Sequence, residues 1–137
     1  MIDIDVARRL QDAGLRWEPA EGDLFTIDTE ELRHEAFMLS SMVVERGLSR
    51  VGRPVLRFNG TTEWALDSVE QDETIWLPRE DQLRSALGGA FRALHRETDG
   101  TYVVTLADAP GAHERREIRA PHAEDAFAGA LLVHLTR

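Results

Sequence analysis

The chain contains no cysteine and no lysine, and only one tyrosine. The missing cysteine excludes disulfides, thiol nucleophiles and Cys-ligated zinc. The missing lysine removes Schiff-base chemistry, lysine general bases and the lysine of a phosphate-binding P-loop. All sixteen basic residues are arginine, against 25 acids, for a formal charge of −9 spread over both halves. Phosphate binding needs a basic patch that releases counterions, so no nucleic-acid partner is expected. No apolar run is long enough to span a bilayer, and no membrane association is expected. The start "MIDIDVARRLQDAG" carries acids early and lacks the basic, then apolar, pattern of a signal peptide, so a cytoplasmic location is the expectation.

What is present is a globular balance, 42% hydrophobic and 30% charged over 137 residues, enough for one domain (1–137) with a real core. "DIDVARRLQDAG" predicts a short amphipathic helix, with Asp3 or Asp5 as N-cap, Val6, Ala7 and Leu10 on one face, and Gly14 as the stop. "DLFTI" reads as a strand, and "AFMLSSMVVE" as a strand pairing antiparallel with "VLRFN" across the loop "RGLSRVGRP", with Pro54 at a strand start. Pro78, Glu80, Asp81 and Gly88–Gly89 frame a second helix with Leu83, Ala86 and Leu87 inside. "FRALHRETDGTYVVTLA" predicts a hairpin turning at Asp99–Gly100, and "ERREIRA" a further strand. "HAEDAFAGALLVHLTR" predicts a last helix anchored by Phe127, Leu131 and Leu135, with Ala126, Ala128, Gly129 and Ala130 allowing close approach to a sheet. Together these predict an α+β fold: one antiparallel sheet of about five or six strands with the helices mainly on one face.

Motifs that carry chemistry are sparse. His34, His95, His113, His122 and His134 form no His-x-His or His-x-x-x-His pair, and "HEAFM" has Met38 where a zinc protease needs its second ligand. Glu30 and His34 have the spacing of a helix-surface pair. There is no nucleophile elbow, dinucleotide loop or P-loop. "HERREIR" alternates charge as the solvated face of a strand does, which favours that reading over a phosphate site. The sequence implies no cofactor, no catalytic residue and no dedicated metal site.

One segment stands out. In "NGTTEWALDSVEQDETIWLPRED" two of the three tryptophans, Trp64 and Trp76, flank Asp67, Glu70, Asp72 and Glu73. Thr61 or Thr62 can cap a short helix that carries Trp64, Ala65 and Leu66. The carboxylates could hold a hard cation such as Mg²⁺. A specific site needs ligands converging from several elements, however, so the simpler expectation is a soluble loop whose tryptophan rings pin it to the core.

The stretch "FNGTTEWALDSVEQDETIWLPREDQLRSALGGAF", with "AEDAFAGALL" and Trp17 in "WEPAEGD", resembles a family of small uncharacterised bacterial proteins, mainly actinobacterial, some of them labelled pilus assembly proteins. The resemblance covers about the whole chain and implies no established activity. The pilus label belongs to ATPase-like localisation proteins, whose P-loop and lysine this sequence lacks. The function expected is therefore that of a non-catalytic interaction domain with a protein partner or a second copy, through an aromatic surface around Trp17, Trp64 or Trp76. For Trp17 the competing role is a lid over the first helix. The alternative function is a small-ligand-binding or metal-assisted hydrolase domain using Asp67, Glu70 and Glu73, with Arg79 orienting an anion.

Overall fold

The computed structural model describes residues 1–39, 44–48, 52–58, 68–107 and 115–136, with 44–48, 55–58, 68 and 69 described by their backbone. It has the expected α+β class. The chain divides into two compact units, Trp17–Leu77 and a second unit made of Met1–Arg16 with Pro78–Arg137.

In the unit Trp17–Leu77, β1 (Leu24–Ile27) lies between β2 (Phe37–Met38) and β6 (Thr74–Trp76), antiparallel to both. Phe25 and Ile27 alternate onto one face of β1, and both are fully buried with Leu39. Trp17, Leu32 and Phe37 close this cluster, with the Trp17 and Phe37 rings 5.4 and 5.7 Å from that of Phe25. Thr26 points the other way, yet is buried too. Its hydroxyl meets the carbonyls of Glu35 (2.7 Å) and Leu32 (3.1 Å), so the turn 29–35 folds back over the strand. The second sheet of this unit is a meander of β3 (Val44–Leu48), β4 (Pro54–Phe58) and β5 (Ser68–Glu70). Pro54 opens β4, where its missing N–H costs least. A single 3-10 turn, Gln71–Glu73, carries the chain from β5 into β6.

The expected pairing of "AFMLSSMVVE" with "VLRFN" is shifted along the chain. Phe37 and Met38 pair with β1, because Phe37 and Leu39 complete the Phe25 cluster, and the partner of β4 is Val44–Leu48. The helix expected around Trp64 lies outside the described residues.

The other unit is organised around α3 (Ala123–Leu135). Ala126, Phe127, Ala128, Ala130 and Leu131 are all buried, and a helix that is apolar most of the way round belongs in an interior. One side of α3 meets a meander of β7 (Phe91–Arg96), β8 (Tyr102–Leu106) and β9 (Glu117–Ala120). Its other neighbours are α1 (Ile4–Asp12) and α2 (Glu80–Leu87). Gly129 is the point of closest approach, since a Cβ there would lie 3.0 Å from Ile118 Cγ2 on β9. The Phe127 ring packs 5.4 Å from Phe91.

Local signals set the helix ends. Asp3 caps α1 by accepting the Asp5 N–H at 2.8 Å, and Gly14 follows the helix with φ +106°, a conformation that other residues rarely adopt. Leu83 and Leu87 form the buried face of α2. That helix starts at Glu80 rather than at Pro78: Arg79 is the extended N-cap, and its N–H donates to the Gln82 side chain at 2.9 Å. At the β7–β8 turn Gly100 has φ +92°, and the Asp99 carboxylate accepts the Thr101 N–H at 2.8 Å, which holds its pKa below the ordinary aspartate value.

Two expectations need correction. Among the described residues there are three three-stranded antiparallel sheets, not one sheet of five or six strands. Strands of two to six residues settle on local partners, and only β1 reaches a distant one, β6. The helices of this unit do form a layer on one side of their sheet, but it is α3 that touches β8 and β9, while α1 and α2 pack on α3.

Candidate functional site

The tryptophans expected at an interaction surface are placed by their packing. Trp17 is half-buried against Phe25, and its indole N–H donates to Asp23 Oδ2 at 2.9 Å. Asp23 is itself buried. The same oxygen accepts the Ala20 N–H at 3.0 Å, while the Asp23 carbonyl takes the Leu39 N–H at 2.7 Å. The Trp17 carbonyl accepts from the Gln71 side chain at 3.0 Å. These bonds make the Trp17 ring a wall of the cluster. Trp76 is half-buried in β6 opposite Phe25, with its indole nitrogen shielded and unpaired among the described residues. Trp64 and Asp67 lie outside the described residues.

Glu70, Asp72 and Glu73 do come together. Each offers a carboxylate oxygen within 4.8 Å of the others, around the turn between β5 and β6. The described part of this acidic segment is thus a connection between two sheets: Asp72 and Glu73 form its solvated outside, and Trp76 follows in β6. Asp72 and Glu73 are exposed, and Arg53 approaches Glu70 at 3.5 Å, so a cation would have to compete with water and with a guanidinium. Arg79, the anion-orienting residue of the alternative site, belongs to the other unit and pairs there with Asp81 at 3.4 Å. Calorimetric titration with Mg²⁺, Mn²⁺ and Zn²⁺ is therefore expected to give no stoichiometric binding tighter than about 10⁻⁴ M. A micromolar isotherm lost in Glu73→Gln would reverse this.

The basic candidate is also engaged. Arg119 on β9 pairs with Glu117 at 2.8 Å and Glu97 at 3.2 Å, and these bonds raise its pKa further. Of "HERREIR", Glu117–Arg119 belong to β9 and have the solvated, alternating character expected there; Arg115 and Arg116 precede the strand, and His113 and Glu114 lie outside the described residues. Glu30 and His34 are exposed on the turn 29–35 rather than on a helix.

One feature was not singled out in the sequence. In β7 the residues Arg92, Ala93, Leu94, His95 and Arg96 are all exposed, and the sheet order makes β7 an edge. Two hydrogen bonds fix which backbone groups look outward. Glu97 N–H donates to the Thr101 carbonyl, and Leu106 N–H to the Arg116 carbonyl, so residues 103 and 105 of β8 bond to β7, while 102, 104 and 106 bond to β9. Ala93 and His95 therefore face β8, and the N–H and C=O groups of Leu94 and Arg96 point away from the sheet, whereas at Arg92 the register shifts and the alternation is broken. Among the described residues no strand takes them. The register shift at Arg92 is a bulge that lets Phe91 turn to the helix side opposite Leu106, while Ala93 stays opposite Thr105. Leu94 is opposite Val104, which is opposite Ile118 under α3, so the Leu94 side chain shares the helix face and is still 36% exposed.

Comparison with known proteins found no family model, no curated protein and no solved structure that matches this chain. Among the described residues no helix is long and apolar enough to cross a membrane.

Proposed function

We propose that this chain, of the small bacterial family its sequence resembles, is a non-catalytic protein-interaction domain that receives a partner strand along the open edge of β7. The observation that carries the reading is the pair of outward backbone groups at Leu94 and Arg96, on an edge whose leucine is part-exposed. An unpaired edge is a template for another strand: main-chain hydrogen bonds supply the attraction, and alternate side chains supply the selectivity. Trp17 instead closes the core cluster of the other unit.

The test uses Leu94→Pro. Its N–H points outward, so the substitution removes an edge donor and leaves the β7–β8 ladder its own bonds. Partners captured from the source cells by the wild type should be lost by Leu94→Pro once two-dimensional NMR has shown both proteins equally folded. In the purified complex the amides of Leu94 and Arg96 should be protected from hydrogen exchange. Protection elsewhere, with these two unchanged, would refute the edge as the site.

A further inference from the structure

Any occupant of the β7 edge must match its charge as well as its backbone. Within Phe91–Arg96 the polar residues are Arg92, His95 and Arg96, with no carboxylate in the strand. Arg92 reaches only the Gly89 carbonyl (3.3 Å). Arg96 reaches the Gly100 carbonyl (3.5 Å) and sits over the Tyr102 ring (5.4 Å), so among the described residues neither guanidinium meets an acid. Arg119, two strands away, takes both of its carboxylates locally. In a chain of formal charge −9 this edge is a local basic exception. Charge beyond about 8 Å is screened at physiological salt, so at contact it is the edge that an incoming strand meets.

A second copy of the chain fits this edge poorly. Antiparallel self-pairing centred on Leu94 brings Arg96 of each copy toward the end of the strand where the other carries Arg92. Within Phe91–Arg96 every register gathers the arginines and histidines of both strands without a carboxylate of the strand itself, and Glu97, the next residue, is already engaged by Arg119 at 3.2 Å. We infer that the edge of β7 is built for an extended acidic segment of a partner protein, with an apolar side chain opposite Leu94, a carboxylate opposite Arg96 and a second one toward Arg92 at the other end of the strand. The inference rests on the interaction reading above. It adds the chemistry of the partner: backbone pairing holds the strand, Leu94 takes the apolar residue on the helix face, and the guanidiniums exclude basic or neutral competitors.

The probes are three blocked peptides of about seven residues, alternating threonine with glutamate, valine and glutamate, and the same sequence with glutamine or lysine in place of glutamate. NMR titration of the full chain should show the glutamate peptide binding along Arg92–Arg96, about tenfold tighter than the glutamine peptide, and weakening as salt is raised. The double variant Arg92→Glu/Arg96→Glu, confirmed as folded from its spectrum, should invert the order and prefer the lysine peptide. The milder pair Arg92→Gln/Arg96→Gln should abolish the discrimination while still binding.

Other outcomes separate this inference from the reading beneath it. Equal binding of all three peptides, lost in Leu94→Pro, overturns the acidic partner and leaves the edge as the site. A dimer in sedimentation equilibrium that Leu94→Pro dissolves does the same, in favour of a second copy. Charge reversal that leaves glutamate-peptide binding intact but promotes aggregation makes the arginines guards against edge pairing, and overturns the inference. Undiminished binding of the glutamate peptide by Leu94→Pro overturns both.

Discussion

Phe127→Ala is expected to destabilise the protein by about 3–5 kcal/mol, the range for removing a fully buried phenylalanine. Phe127 has no solvent exposure, and its ring meets Phe91 at 5.4 Å where β7 begins. It stands on the helix that the sheet approaches from one side and α1 and α2 from others, so the surroundings have little freedom to collapse into the space left. Gly129 on the same helix faces Ile118 so closely that a Cβ there would lie 3.0 Å from it, so α3 has little room to move toward β9. Urea denaturation should show a midpoint lower by roughly 2 M, with the slope preserved. An unchanged midpoint would mean that α3 presents another face to the sheet. Leu83→Ala, from the buried face of α2, belongs to the same test with a cost of about 2–5 kcal/mol.

Phe25→Ala is expected to cost a similar amount, about 3–5 kcal/mol, in the other unit. Phe25 is the hub of its cluster: Trp17 and Phe37 pack on its ring, Trp76 is its neighbour across β6, and it too is fully buried. Its loss removes the surface that Trp17 leans on, so the consequence extends to the Trp17–Asp23 bond. The denaturation midpoint measures the stability, and the indole N–H resonance of Trp17 reports the local effect. In wild type it should exchange slowly as a donor to a buried carboxylate; in Phe25→Ala it should exchange much faster. Slow exchange retained at an unchanged midpoint would show that the cluster does not depend on Phe25.

The parts of the fold that were legible in the sequence are those whose cause is local. Asp3 and Gly14 bracket α1, Gly88 follows α2, Asp99–Gly100 turns the β7–β8 hairpin, and the alanine–glycine run of α3 marks a close approach. Each is decided by a cap, a positive φ or a missing side chain within a few residues. The strand β2 was not legible at that level. "AFMLSSMVVE" has the composition of one strand, but Phe37 and Leu39 are drawn to the Phe25 cluster, and the partner of β4 starts at Val44.

The candidate site divides the same way. The gathering of Glu70, Asp72 and Glu73 follows from their closeness in the chain, and the solvated role of Arg119 from charge alternation. The packing role of Trp17 depends on Asp23, Phe25 and Gln71, and the last of these comes from the far end of the unit. The sequence by itself determined the α+β class, the ends of the helices and the lack of thiol and lysine chemistry, because these depend on residue type and short-range geometry. Only the tertiary structure decided that β1 recruits β6 across the unit and that, among the described residues, the strands form three small sheets with β7 at an edge. Which strand lies outermost is a property of the pairings made by the rest of the chain, and nothing within "FRALHR" encodes it.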